Sequence, residues 1–255
     1  MPDAQYIYGW HAVGMLLDRN PGAVASLRLA TDHDQRTAAL LAVAESAGIP
    51  VEKVSRNELD RLYPHTVHQG VVAVLGAETQ TLTDKHLPAF LETLPAPALL
   101  LVLDGVQDPH NLGACLRTAD AAGAQAVIMP RDRAVGLTPV VHKVACGAAQ
   151  TVPVFTVTNL ARTLRLLKQA GIWLYGASDR ASQPVHTTDL TGPLALVLGS
   201  EGRGLRRLTA ELCDFLVSIP MAGVVESLNV SVAAGVLLFE VRRQRLQISQ
   251  DKKTV

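Results

Sequence analysis

The run LLLVLD at residues 99–104 decides the architecture. Five apolar residues in a row, without polar alternation, fit a strand buried on both faces, as in a parallel sheet covered by helices on either side. A helix is predicted after it over residues 112–122, closed by Gly123, and AVIMP at 126–130 is the next strand. The alternation continues downstream. Pro139 to Ala149 reads as a helix with proline in its first turn, and a strand follows near residues 152–155. Asn159 can cap a helix over 160–170 that Gly171 ends. IWLYGAS (172–178), LALVLG (194–199) and FLVSIP (215–220) add three strands, with a helix over 205–213 between the last two. A long apolar helix from about residue 230 to 247 closes the series. Strands alternating with helices predict an α/β fold with a mainly parallel sheet.

Upstream the signals are shorter. SLRLA at 26–30 is strand-like, Gln35 to Ala47 is an Ala- and Leu-rich helix ended by Gly48, and GVVAVLG at 70–76 is a β-branched strand. Together they make a small α/β unit. Residues 77–97 turn to Thr, Pro and mixed polar residues with one short helix over 87–94, and read as a linker. The expected organisation is a small domain over 1–76, a linker over 77–97, a larger domain over 98–248 and a polar, disordered tail over 249–255.

Composition bounds the function. A chain of 255 residues exceeds the usual ~100–200 of one domain, so one large or two unequal domains are expected. The 48% hydrophobic and 18% charged content is that of an ordered globular protein. Lys+Arg and Asp+Glu are both 23, so net charge gives no sign of a nucleic-acid partner, and any basic surface must be local. The candidate clusters are Arg203, Arg206 and Arg207; Arg242, Arg243 and Arg245; and Arg131 with Arg133. Cys115, Cys146 and Cys213 are odd in number and far apart, which argues against a disulfide framework and for a reducing compartment. No CxxC pair suggests zinc, and His65 and His68 form an HxxH pair without a third ligand nearby, so no metal is expected. The start lacks a basic stretch followed by an apolar core, and no apolar run reaches the ~18 residues of a membrane span. A cytoplasmic protein without a membrane partner is expected.

Three strand-to-helix turns carry polar residues. The first, residues 104–120, holds Asp104, Asp108, His110, Asn111 and Arg117. Ligands collect at the carboxyl edge of such sheets, but a plain polar turn with Asn111 as helix cap fits equally well. The second, 198–205, holds Gly199, Gly202 and Gly204, which permit positive φ and close approach of a ligand to the backbone. It fails the GxGxxG spacing of a dinucleotide loop, and a tight turn explains it as well. The third, 219–231, holds Glu226, Ser227 and Asn229, the last two favourable at a helix N-terminus.

NLGACLRTADAAGA (111–124), LVLGSEGRGLRRL (196–208) and IPMAGVVESLNVSVAAGVLLFE (219–240) resemble the three motifs of the SpoU/TrmH, or SPOUT, RNA 2′-O-methyltransferase family, in order and spacing. The likeness spans residues 98–245. DGVQDPHNLGACLRTADAAGAQAVIMP (104–130), KVACGAAQTVPV (143–154) and VTNLARTLRLLKQAGIW (157–173) are similar to the branch that modifies a guanosine of 23S ribosomal RNA. IYGWHAV (7–13) and VHQGVVA (67–73) resemble that branch's small, L30e-like RNA-recognition domain. The resemblance implies a catalytic domain with a deep C-terminal trefoil knot, a homodimer, and S-adenosylmethionine as cofactor. Chain topology alone would not suggest a knot. Carried onto this sequence, Asn111, Arg117, Glu201, Ser227 and Asn229 match the family's polar active-site set, and Gly199, Ile219 and Leu228, with Gly204 and Met221, match cofactor-contacting positions. Arg203, Arg206 and Arg207 then become RNA contacts.

Methyl transfer from a sulfonium is an in-line displacement, so positioning the 2′-oxygen can supply ~7–11 kcal/mol. The family's proposed base is Arg117. A guanidinium keeps its proton in proteins, so clamping a neighbouring phosphate is its easier role. His110 is an alternative base by residue type, outside the family set. The rivals are a tRNA or other-site ribosomal RNA methyltransferase, a catalytically silent RNA-binding assembly factor, and, weakened by its glycine spacing, a nucleotide-dependent dehydrogenase.

Overall fold

The structure, a computed structural model, describes residues 6–31, 35–76 and 82–251. Residues 77–81 of the expected linker and 252–255 of the expected tail lie outside the described residues. The chain forms two compact units, residues 1–80 with 137–151, and residues 81–136 with 152–255.

The first unit runs β1 (Tyr6–Tyr8), α1 (Trp10–Arg19), β2 (Val24–Ala30), α2 (Gln35–Ser46), β3 (Val51–Val54), α3 (Arg56–Leu62) and β4 (Val71–Leu75). Its sheet has the order β1-β4-β2-β3, with β4 antiparallel to both neighbours and β2 parallel to β3. Strand alternation sends Ile7, Leu27, Leu29, Val71 and Ala73 into one cluster with Val13, Leu16 and Leu17 of α1, and Tyr8, Ala30 and Val72 into another with Leu59 and Tyr63. Four of these elements lie outside the sequence expectation. β1 has three residues, β3 is the half-polar edge VEKV, and α3 is the polar RNELDRL held at its start by Ser55, whose Oγ accepts from Glu58 N at 3.2 Å. Helix α1 did carry a signal, since Ala12, Val13, Leu16 and Leu17 are spaced for one buried face.

The second unit continues with β5 (Leu82–Thr83), α4 (Leu87–Glu92), β6 (Leu99–Asp104), α5 (Pro109–Ala122) and β7 (Ala126–Pro130). The chain then supplies α6 (Pro139–Ala145) and α7 (Ala148–Thr151) to the first unit. It returns as β8 (Val154–Val157), α8 (Leu160–Gln169), β9 (Trp173–Ala177), β10 (Gln183–Pro184), β11 (Leu194–Gly199), α9 (Arg207–Leu212), β12 (Phe215–Ser218) and α10 (Val230–Asp251). The eight described strands form one sheet, β10-β12-β9-β11-β6-β7-β8-β5, and every pair is parallel. β6 lies at its centre and is buried throughout. Leu100 and Val102 join Ile128, Phe155, Leu174 and Val197 under Leu160, Leu164 and Leu167 of α8. The alternate residues turn to the opposite face, where α5 and α10 pack on each other. Arg245 ties that helix to the sheet, its guanidinium donating to the carbonyls of Pro97 at 2.9 Å, Ala98 at 2.8 Å and Gly192 at 2.6 Å. Among the described residues no helix is long and apolar enough to cross a membrane.

Several boundaries differ from expectation. α5 starts at Pro109, and Asp108 caps it by accepting from His110 N at 2.8 Å, so Asn111 lies inside the first turn. The helix expected over 139–149 is two, because Cys146 and Gly147 adopt left-handed φ of 51° and 95°. A Cβ on Gly147 would come within 2.5 Å of Met15 of α1, and α6 packs on β1, which draws residues 137–151 away from the 98–248 block and into the first unit. α10 runs to Asp251, so residues 249–251 are helical where a disordered tail was expected. Adding residues to an established helix fixes one residue per bond gained, which polar residues tolerate.

Candidate active site

Parallel register fixes where the site forms. β6 and β11 pair from Leu99↔Leu194 to Asp104↔Gly199, so the turns after Asp104 and after Gly199 leave the same edge of the sheet side by side. That edge is the carboxyl edge, where parallel sheets bind ligands. The third turn precedes α10, and the packing of α10 on α5 brings Asn229 to Asn111.

Three side chains close a ring there. Asn111 Nδ2 donates to Glu201 Oε2 at 3.2 Å, Asn229 Nδ2 donates to Asn111 Oδ1 at 2.9 Å, and Asn229 Nδ2 also donates to Glu201 Oε1 at 3.2 Å. Asn229 Oδ1 accepts from Ser231 N at 2.9 Å and from Ser231 Oγ at 2.6 Å, capping α10. Capping therefore orients the amide, because an oxygen committed to the helix start turns the NH2 toward Asn111 and Glu201. Asn111 is buried while Glu201 is exposed, so the ring presents a carboxylate to solvent from a fixed base.

The glycine turn explains itself mechanically. Gly204 N donates to Ser200 O at 2.9 Å, Ser200 and Gly204 form a bridge, and Gly202 and Gly204 take φ of 75° and 63°. A Cβ on Gly199 would overlap the Gly204 carbonyl and Leu205 N, so the chain folds back over a residue that must be glycine. This loop is the wall between two cavities. One, about 510 Å³, is lined by Gly199, Gly204, Ile219, Met221, Ser227 and Leu228 among others. The other, about 590 Å³, is lined by Asp104, Asp108, Asn111, Arg133, Arg203 and Arg206 among others. Both volumes are of ligand-binding size. Leu198, Val217, Ile219 and Leu228 give the first an apolar wall for an aromatic ring, and Asp179, Glu201 and Glu226 offer carboxylates to a cationic group, a donor set that fits a sulfonium nucleoside.

The structure thus gathers Asn111, Glu201 and Asn229 into one cluster and Gly199, Gly204, Ile219, Met221, Ser227 and Leu228 around one cavity. Arg203 and Arg206 line the second cavity. Arg117 is exposed on α5 and lines neither, and so does His110. Arg207 also lies apart and pairs with Glu211 at 2.6 Å. Asp179 and Arg180 line the first cavity, and their signal was their position just after the strand IWLYGAS.

Other polar groups are structural. His68 Nδ1 accepts from Gly70 N at 3.0 Å and its Nε2 lies 3.0 Å from Asp60 Oδ1, so both ring nitrogens are engaged within the first unit. Among the described residues no group of three or more His, Cys, Asp or Glu side chains could hold a metal. Burial pushes His142 down to about 4, beside Gln150 Nε2 at 3.0 Å from its Nδ1. Burial pushes the thiols of Cys115 and Cys213 up to about 12, while Cys146 is exposed.

Comparison with known proteins shows what the chain is similar to. Residues 98–239 match the SpoU rRNA Methylase family, and residues 6–80 match the family described as RNA 2'-O ribose methyltransferase substrate binding. The 23S rRNA (guanosine-2'-O-)-methyltransferase RlmB of Pseudomonas putida is 53% identical over 246 residues, 96% of this chain and 98% of the relative. That of Nitrosomonas europaea is 52% identical over 97% of this chain and 94% of the relative. Among solved structures, the SpoU methyltransferase AviRb from Streptomyces viridochromogenes, solved in complex with AdoMet, superposes with a TM-score of 0.80 at 26% identity, covering 95% of this chain and 90% of that one. An AdoMet-bound rRNA methyltransferase from Sinorhizobium meliloti gives a TM-score of 0.77 at 25% identity over 94% and 87%.

Proposed function

The chain belongs to the SpoU rRNA methylase family, and on that premise we propose that it methylates the ribose 2′-hydroxyl of a guanosine in 23S ribosomal RNA, with S-adenosylmethionine as methyl donor. The observation that carries the reading is the ring of Asn111, Glu201 and Asn229, which joins three strand-to-helix turns at the wall between two cavities. Relatives about half identical over nearly the whole chain carry this activity in their names.

S-adenosylmethionine supplies an electrophilic methyl group when bound. The residues for it are those of the 510 Å³ cavity, with Gly199, Ile219 and Leu228 offering backbone groups and Gly204 and Met221 completing the wall. Glu201 has two oxygens that each accept one bond from the asparagines, which leaves lone pairs to accept the hydrogen of a ribose hydroxyl. Asn111 and Asn229 hold that carboxylate in one orientation, and Ser227 is a further donor at the cavity wall. Arg203 and Arg206 meet the RNA from the second cavity, and Arg117, exposed on α5 outside both cavities, is left to clamp a phosphate of the RNA. The small unit matched to substrate binding recognises the surrounding RNA.

The reading extends to the family's trefoil knot and homodimer and to the cytoplasm, where ribosomal RNA is processed. Supporting the dimer, Val232, Val236 and Phe239 form an exposed stripe at helical spacing on α10, while Ala234, Leu237, Leu238 and Val241 on the same helix are buried.

Transfer of tritium from labelled S-adenosylmethionine to 23S RNA lacking the modification tests the function. Label in an alkali-resistant dinucleotide containing guanosine is the expected result. Cofactor binding without transfer to any RNA would instead favour an assembly factor that has kept the fold.

A further inference from the structure

The 590 Å³ cavity contains a device that phosphate binding alone does not require. Its floor is Asp104, whose side chain has no exposure at all. Its Oδ2 accepts from Arg206 N at 3.2 Å, and its Oδ1 lies 3.2 Å from Arg206 Nε, at an angle that falls short of a hydrogen bond. One buried carboxylate thus holds Arg206 by a hydrogen bond to its backbone and keeps its guanidinium close by charge attraction. Gly105 makes room for it. With φ of 89° and no side chain, Gly105 lets Arg206 Nη2 lie over its backbone, where a Cβ would come within 3.1 Å. The Arg206 side chain remains 43% exposed and lines the cavity, with Arg133 and Arg203 in the same wall.

We propose that Arg206, held by Asp104, reads the base of the target nucleotide by donating its Nη hydrogens to guanine O6 and N7. This rests on the methyltransferase reading above and assigns the second cavity to the target nucleotide. Guanine presents two adjacent acceptors on that edge, which match an arginine fork, whereas adenine presents an acceptor beside an amino donor and repels it. A phosphate accepts from many directions and binds best to an uncompensated cation. Pairing Arg206 with a buried carboxylate weakens its field and keeps it at the cavity wall, which suits a neutral partner. Arg133 and Arg203 remain for the phosphates. A cavity of this size accommodates a nucleotide turned out of its stack, as enzymes acting on RNA loops require.

The test uses the full chain and a short RNA carrying the target guanosine unmethylated, against the same RNA with 7-deazaguanosine at that position, which lacks the N7 acceptor. Wild type is compared with Arg206→Lys, which keeps the charge and loses the fork, and S-adenosylmethionine binding is measured on both proteins. The expected result is a kcat/KM about tenfold or more lower on the deaza RNA for wild type, and a ratio near one for Arg206→Lys with cofactor binding retained. A wild type indifferent to N7, or an equal loss on both RNAs by Arg206→Lys so that both proteins show the same penalty, would overturn the proposal, the second identifying a contact that does not read the base. Failure of wild type to methylate either RNA would sink the methyltransferase reading itself.

Discussion

His68 in the small unit and Asn111 at the sheet edge are buried polar side chains bonded at both ends, yet their partners differ in kind. His68 bonds Asp60, eight residues away, and Gly70, two residues away, so its bonds stitch one loop together. Asn111 bonds Glu201 and Asn229, 90 and 118 residues away, so its bonds join turns that come together only once the parallel sheet has formed. Local bonding satisfies a group that folding would bury anyway. Long-range bonding that ends on an exposed carboxylate orders a site the core does not need.

The contrast can be broken most severely at Asn229. Asn229→Ala should lower methyl transfer by roughly 10²–10³-fold, as loss of an oriented polar group at a reaction centre does, and should cost about 1 kcal/mol of stability through the lost cap. Single-turnover transfer and chemical denaturation separate the two effects. His142 sharpens the local side of the comparison. Its folded state stays neutral down to about 4, while an unfolded histidine takes up a proton below about 6.5. Stability should therefore be level above pH 6.5 and fall by on the order of 3 kcal/mol between pH 6.5 and 4. Thermal unfolding across that range, set against a flatter profile for His142→Gln, checks it. His68→Ala should cost about 1–3 kcal/mol by leaving the Gly70 amide without its buried acceptor, with S-adenosylmethionine affinity unchanged by calorimetry. The smallest effect concerns thiols. Cys146 should react with a maleimide in the folded protein while Cys115, buried and held as a thiol, does not, as peptide mass mapping would reveal.

Much of the second unit was legible because its strands are buried on both faces. LLLVLD, AVIMP and LALVLG match β6, β7 and β11 residue for residue, since an apolar run bounded by a turn has little other use. β1 and β3 were not, because three residues or a half-polar edge carry no such run. The cap of α5 could have been placed correctly, since Pro109 favours the first helical position and makes Asp108 the cap. The fork held by Asp104 could not, because 102 residues separate it from Arg206. Asn111, Glu201 and Asn229 were named through resemblance to a family, and spacing alone left each of them an ordinary turn or cap residue.

The most direct test of the account is a paired measurement of single-turnover methyl transfer and melting temperature in Glu201→Ala and His68→Gln. Exposed Glu201 should lose about 10²-fold in rate while its melting temperature moves by only a few degrees, and His68→Gln should melt lower while keeping its rate at a temperature where it is folded. The reverse pattern, with Glu201→Ala transferring methyl groups at the wild-type rate, would contradict the claim that long-range polar bonding at the sheet edge builds the site.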